Sequence, residues 1–240
     1  MLKLIIAFER RPGLSRADSH KHLEQTHASL LFGTHEFKRH VAGYVQNFAD
    51  GYSAPCGSLQ FVADGIVELW FKSLQTLQVA FSEPRYLEVL RPDEMRFADL
   101  SRLICAATEE RLIWDQGEAG SRKIIRLVAA HPGQNLESAE AFWKHEYPKR
   151  IRPAGRGRSR IRRYVQSWPA AGAQGILPSL LPLFCVEEFW FGDETSEAEI
   201  LTFEKALEDE NDEFADVVNV HSNVLFIGYE KHVIAPVLIV

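Results

Sequence analysis

The sequence predicts an α+β fold: two ferredoxin-like (βαββαβ) units in tandem, packed sheet to sheet into one barrel-like, pseudo-symmetric body. Three observations predict it. Short motifs recur along the 240 residues at a constant offset of 120. Within each half, strand-like and helix-like periodicities follow one another in the order β, α, β, β, α, β. Finally, a sheet with both helices on one face leaves the other face bare, and stacking two bare faces buries both.

The repeat is carried by four matches. Lys3-Leu4-Ile5-Ile6 recurs as Lys123-Ile124-Ile125-Arg126, and Pro12-Gly13 as Pro132-Gly133. Gly43-Tyr44-Val45-Gln46 recurs as Arg163-Tyr164-Val165-Gln166, and Glu68-Leu69-Trp70-Phe71 as Glu188-Phe189-Trp190-Phe191. Phe97-Ala98-Asp99-Leu100 matches Phe214-Ala215-Asp216-Val217 at an offset of 117, so about three residues were lost between. The units are placed at 1–115 and 121–240, with a linker at about 115–121.

The elements follow in order. Residues 2–9 form an apolar, strand-like run, too short for a signal-peptide core, closed by Pro12-Gly13. Ser15 is placed as a helix N-cap, with Asp18 at the position of the reciprocal capping residue, and the helix runs to about Leu31. Residues 40–48 and 66–72 alternate as the second and third strands. Helical stretches follow at about 74–82 and 196–208, and last strands near 100–108 and 217–227. The connections at about 49–64 and 169–183 are long for a compact domain, and are read either as covers for a cavity or as loose surface. The tail, residues 233–240, has no polar residue. It is expected to form a short strand that breaks at Pro236 and docks on a barrel edge, in this chain or in the partner of a homodimer.

Composition narrows the function classes. Apolar residues are 46% and charged residues 25%, the values of an ordinary globule. No apolar run reaches the length of a membrane span. Cys56, Cys105 and Cys185 cannot all pair and show no CxxC spacing, which fits a reducing, cytoplasmic setting. The net charge is −6, divided as −3 in each half, so no global bias toward nucleic acid exists. Lys149 to Arg163 holds eight basic residues and no acid, but without the interleaved aromatics that single-strand binders use. Asp193 to Asp216 holds eleven acids and one lysine; both stretches read as solvated faces. No Gly-rich phosphate loop, Gly-x-Ser-x-Gly elbow, HExxH or paired-CxxC framework is present.

Several separated motifs carry a family resemblance. Arg10-Arg11-Pro12-Gly13-Leu14-Ser15, Ser19-His20-Lys21-His22-Leu23-Glu24-Gln25-Thr26-His27, Tyr44-Val45-Gln46 and Asp64-Gly65-Ile66-Val67-Glu68-Leu69-Trp70-Phe71 resemble the EthD family, of the dimeric α+β barrel superfamily. The resemblance implies a pseudo-dimeric α+β barrel in which two units, usually separate chains, are fused. For function it implies a range: an accessory to an ether-degrading oxygenase, or cofactor-independent decarboxylases, cyclases, dehydratases and lactone isomerases. The family's helix pattern falls here on His20, Leu23 and His27. In the second unit Trp143 matches the aromatic position, but Tyr147 and Glu140 stand where the first unit has His27 and His20. If the helix histidine carries the chemistry, the first unit is the working copy and the second mostly scaffolds; the alternative is two different sites.

On a helical wheel of 100° per residue His20, Leu23, Glu24, His27 and Leu31 share one side and His22 points away. His27 is then either a hydrogen-bonded core histidine or a proton shuttle. His20 and His27 are seven residues apart, too far to chelate, so no metal site is expected. Tyr44 and Gln46 share one strand face, and Glu68 and Trp70 share another; Tyr164, Gln166, Glu188 and Trp190 repeat them. A carboxylate such as Glu68, mid-strand in an apolar run, must be paired or protonated, and a protonated one suits a general acid. His27, Tyr44 and Glu68 are the candidate catalytic residues. His20, Gln46, Trp70, Tyr147, Tyr164 and Trp190 are the candidate binding residues for a small hydrophobic or aromatic ligand. The expected activity is that of a cofactor-independent lyase or isomerase, acting by general acid/base proton transfer on a hydrophobic, oxygenated ring compound such as a phenolic polyketide or a lactone. The alternative is a non-catalytic accessory protein that holds such a molecule for an oxygenase. Neither nucleic acid nor membrane is an expected partner.

Overall fold

A computed structural model describes residues 1–50, 60–130, 133, 135–151, 160–213 and 223–236. Cys56, Pro132, the 214–217 motif, residues 152–159 of the basic run and the tail beyond Pro236 lie outside the described residues. The described elements begin with β1 (Leu2–Arg10), whose apolar run from Leu4 to Phe8 reflects two buried faces. Ser15 caps the next helix as expected, its Oγ accepting from the Asp18 amide at 3.1 Å. That helix is α1 (Arg16–Lys21), a π-helical stretch (His22–His27) and α2 (Ala28–Gly33). After α3 (His35–Lys38) come β2 (Val41–Ala49) and β3 (Gly65–Phe71), then α4 (Leu74–Ser82).

A helix that the sequence reading lacked follows: a second π-helical stretch (Tyr86–Leu90) leading into α5 (Arg91–Phe97). Pro84 and Pro92 read as breakers in the sequence. Pro92 lies in the first turn of α5, directly after the π-helical stretch. β4 (Ala98–Asp115) follows and is longer than expected. The remaining elements are β5 (Arg122–Val128), α6 (Leu136–His145), α7 (Tyr147–Ile151), β6 (Ile161–Pro169), β7 (Cys185–Phe191), α8 (Glu197–Glu213) and β8 (Val224–Ile234).

The eight strands close into an antiparallel barrel in the order β1-β3-β2-β8-β5-β7-β6-β4. β4 and β8 are long because each pairs with its two neighbours through successive segments. β4 pairs with β1 through Lys3↔Thr108 and with β6 through Asp115↔Arg163. β8 pairs with β5 through Leu127↔Val224 and with β2 through Tyr44↔Ile234. The start of the tail is thus the end of β8, docked on β2 of the same chain. Among the described residues no helix is long and apolar enough to cross a membrane.

Strand alternation sorts side chains into two environments. Ile5, Ala7, Ile66, Ile125, Val186 and Phe226, drawn from both ends of the chain, meet in one cluster inside the barrel. Leu4, Phe8, Tyr44, Leu69 and Phe71 face outward, under the helices of the first half. Ile124, Tyr164, Phe189 and Phe191 do the same in the second half, against Trp143, Tyr147 and Phe203.

Candidate active site

Between β1–β3 and the helices of the first half lies a cavity of about 330 Å³, a size suited to a small ligand. Its walls are mostly aliphatic and aromatic, Ile6, Phe8, Leu23, Leu69 and Phe97 among them. Among the described residues six polar or titratable groups interrupt them: His27, Tyr44, Tyr86, Arg91, Glu94 and Cys105.

His27 is fixed by a residue on α5. Its Nδ1 lies 3.0 Å from Oδ2 of Asp93, and the other carboxylate oxygen lies 2.9 Å from His22 Nε2. His22 therefore does not point away. The segment His22–His27 is π-helical, with the Ala28 amide donating to the Leu23 carbonyl five residues back, so positions five apart come into near register. Burial acts to raise the Asp93 carboxyl, but hydrogen bonds from His27 and His22 outweigh it and hold it below the usual range.

Tyr44 lies on the outward face of β2. The Gln46 amide, two residues along the same face, donates to the Tyr44 hydroxyl at 2.7 Å and to the Leu23 carbonyl at 2.9 Å. Gln46 therefore positions the phenol without lining the cavity. Burial pushes the Tyr44 phenol well above its ordinary range, so it stays protonated. Glu94 accepts from the Tyr86 hydroxyl at 3.0 Å and from Arg91 at 2.8 Å. Burial raises its carboxyl in spite of Arg91 and His27 nearby. The cavity thus combines an oriented imidazole, a protonated phenol and a carboxyl that burial raises above its ordinary value.

Other expected site residues lie elsewhere. Glu68 is on the inward face of β3, in the barrel, where Lys3 and Lys123 hold it at 3.0 and 2.8 Å. Burial would raise its carboxyl, but Lys123 and Lys3 hold it down, so it is an ionised, paired group and not a general acid beside His27. Trp70 shares that inward face, its indole N–H donating to Glu110 at 2.6 Å. Trp190 lies under the Lys123 ammonium, 4.5 Å from its ring. His20 bonds the Asp64 carbonyl at 2.7 Å with its ring against Phe48, outside the cavity.

In the second half the corresponding space is filled. Arg126 stands 120 residues on from Ile6, Glu187 from Val67, Trp143 from Leu23 and Tyr147 from His27. Arg126 donates to the Tyr147 hydroxyl at 2.7 Å and lies 3.3 Å from Glu187, while Tyr164 donates to Glu187. Tyr147 stacks on Trp143 at 4.0 Å. A bound ring compound is accordingly expected in the first half alone; a co-crystal structure with the ligand beside Tyr147 and Tyr164 would overturn that. The residues missed in the sequence were Asp93, Glu94, Arg91 and Tyr86. Tyr86, Leu90, Asp93 and Phe97 do recur at helical spacing, a signal the two prolines obscured.

Among the described residues no cluster of three His, Cys, Asp or Glu side chains is arranged to hold a metal ion. The described flanks of the basic run are paired with acids, Arg160 with Glu199 at 3.0 Å and Arg162 with Glu194 at 2.6 Å.

The EthD domain family matches this chain over residues 11–101, a span holding His27, Tyr44, Asp93 and Glu94. A conidial pigment biosynthesis dehydratase EthD of Metarhizium robertsii is 31% identical over 110 residues, covering 42% of this chain and 77% of that protein. In fold the chain is similar to an anthrone oxidase-like protein, with a TM-score of 0.59 and 10% identity over 99% of this chain and 96% of that one. A Fusobacterium nucleatum protein provisionally assigned as a monooxygenase gives a TM-score of 0.54 and 9% identity over 96% and 93%. At such identities the likeness is one of fold.

Proposed function

The chain belongs to the EthD family, and from that premise we propose that it is a dehydratase-type lyase acting on a hydrophobic, hydroxylated ring compound in the first-half cavity. The observation that carries this reading is that an oriented imidazole and a carboxyl raised by burial, His27 and Glu94, line one apolar cavity. Elimination of water needs those two functions. His27, its Nδ1–H donated to Asp93, offers Nε2 as the base that takes a proton from a ring carbon. The C–H electron pair becomes the new double bond, the adjacent C–O bond breaks, and Glu94 gives its proton to the departing hydroxyl, which leaves as water. Tyr44 supplies a hydrogen bond to a ring oxygen. The name of the M. robertsii relative supports the reaction class.

Two further points belong to this reading. The halves, 1–115 and 121–240, are tandem ferredoxin-like units joined by the stretch between β4 and β5. Only the first works as an enzyme; the second completes the barrel, with its own cavity filled by Arg126, Glu187 and Tyr147. The test uses 3-hydroxy-1-tetralone, whose dehydration and aromatisation give fluorescent 1-naphthol. The protein is expected to accelerate 1-naphthol release above the buffer rate. Binding of 1-naphthol with no acceleration would overturn the enzymatic reading in favour of a ligand-holding accessory protein.

A further inference from the structure

Among the described residues, all but three of those lining the cavity fall between Ile6 and Cys105; the exceptions are Ile176, Leu177 and Pro178, from the β6–β7 connection of the second half. That connection is not loose. The Ala170 amide donates to the Ala107 carbonyl at 2.9 Å, and the Leu180 amide to the Leu103 carbonyl at 2.8 Å. The Cys105 amide donates to Ser179 Oγ at 3.0 Å, which in turn donates to the Leu181 carbonyl at 2.8 Å. Both ends are thus pinned to β4. Between them Gly172 and Gly175, each at φ +74, take the left-handed turns that a side chain would resist. Ala170 belongs to the first half's core, and Ala173, Ile176 and Leu177 pack against it. Leu87 and Pro178 are the two exposed residues of the lining, so the cavity meets solvent beside this segment.

We propose that residues 170–181 are a strap by which the second half sets the size of ring system the first half's cavity accepts, with Ile176 and Leu177 as the specificity-determining side chains. This rests on the reading of the cavity as a ligand site. It gives the second half a part in recognition although its own cavity is filled. Apolar pocket walls select by fit, and one methylene too many or too few changes binding by roughly 10- to 200-fold. Ile176 and Leu177 are only partly buried and lie at the margin of the first half's core, so they can be replaced without opening its centre.

The test measures dissociation constants by calorimetry for two probes, two-ring 1-naphthol and three-ring 1,8-dihydroxyanthraquinone. Ile176→Trp is expected to weaken the three-ring probe by at least about tenfold and 1-naphthol by less than about threefold. Leu177→Ala is expected to shift the ratio the other way. Ser179→Ala, which removes the side-chain bond of the strap's C-terminal pin and leaves the Leu180–Leu103 bond, is expected to weaken both probes. Equal shifts for both probes, or none, in both the Ile176 and Leu177 variants would overturn the strap's selective role. In that case a protein that still binds the probes and still needs His27 for turnover leaves the proposed function standing. A wild-type protein that binds neither probe overturns the cavity reading and the strap together.

Discussion

His27→Ala is expected to lower the rate of 1-naphthol formation by about 10²- to 10⁴-fold while 1-naphthol itself binds within about threefold of wild type. The split follows from the geometry. His27 is one polar group in a wall that is mostly aliphatic, so most of the ligand's contact area survives its loss. What is lost is the base, and among the described lining residues the other groups are poorer ones: burial keeps the Tyr44 phenol and the Cys105 thiol protonated, and Glu94 already accepts from Tyr86 and Arg91. Asp93→Asn should also slow turnover, because an amide N–H facing Nδ1 favours the tautomer with its proton on Nε2. A His27→Ala variant that is folded and turns over at the wild-type rate would remove His27 from the mechanism.

Glu94 gives that mechanism a pH signature. Burial raises its carboxyl, so the proton needed by the leaving hydroxyl is retained to a higher pH than an ordinary carboxylate would allow. Activity should therefore fall on the alkaline side as Glu94 ionises, with that limb displaced upward from where an exposed glutamate would put it. Glu94→Gln should remove that limb along with most of the rate. If the limb persists in the variant, the proton comes from another group.

How far the site was legible in the sequence depends on the element. Alternation correctly paired Tyr44 with Gln46, and Glu68 with Trp70, but it cannot say which face of a strand is which. In a closed barrel both faces of β3 are buried, so the apolar run Gly65–Phe71 hid the fact that Glu68 looks inward while Val67 and Leu69 look toward His27. The helical wheel failed at His22 because it assumes 100° per residue, and the π turn does not keep that angle. Asp93 and Glu94 were missed because Pro84 and Pro92 disguised a helix. The loop reading was open between cover and loose surface. The 170–181 segment, pinned on β4, packs as a cover, while most of the first connection lies outside the described residues.

Lys123→Met is expected to cost about 3–5 kcal/mol of stability, read as a shift in the urea midpoint, because it strands buried carboxylates. The Lys123 ammonium is fully buried and lies 2.8 Å from Glu68, 2.9 Å from Glu188 and 3.0 Å from Glu230. Lys3, 120 residues earlier, mirrors it with Glu68, Glu110 and Glu188. Two ammonium groups thus hold four carboxylates, and they do so across the halves, Lys123 on β5 reaching Glu68 on β3 and Lys3 on β1 reaching Glu188 on β7. Burial alone would lower both ammonium pKa values, but Glu188 and Glu68 outweigh it and raise them. Burial would likewise raise the Glu68 and Glu230 carboxyls, and the lysines hold them down. The carboxylates, depressed in the folded state, contribute stability that is present above their unfolded pKa of about 4.3 and is lost as the pH falls through their folded values. The lysines, raised, contribute stability that is present below about 10.4 and is lost as the pH rises through theirs. Wild type should therefore hold a plateau between those limits. Lys123→Met should sit lower and recover part of the loss in acid, where the stranded carboxylates take up protons. Adding Glu188→Met should restore part of the stability at neutral pH, since one of the stranded charges is then gone. A single variant that unfolds within about 1 kcal/mol of wild type at pH 7 would mean that solvent or rearrangement satisfies the carboxylates, and that the network does not bind the two halves together.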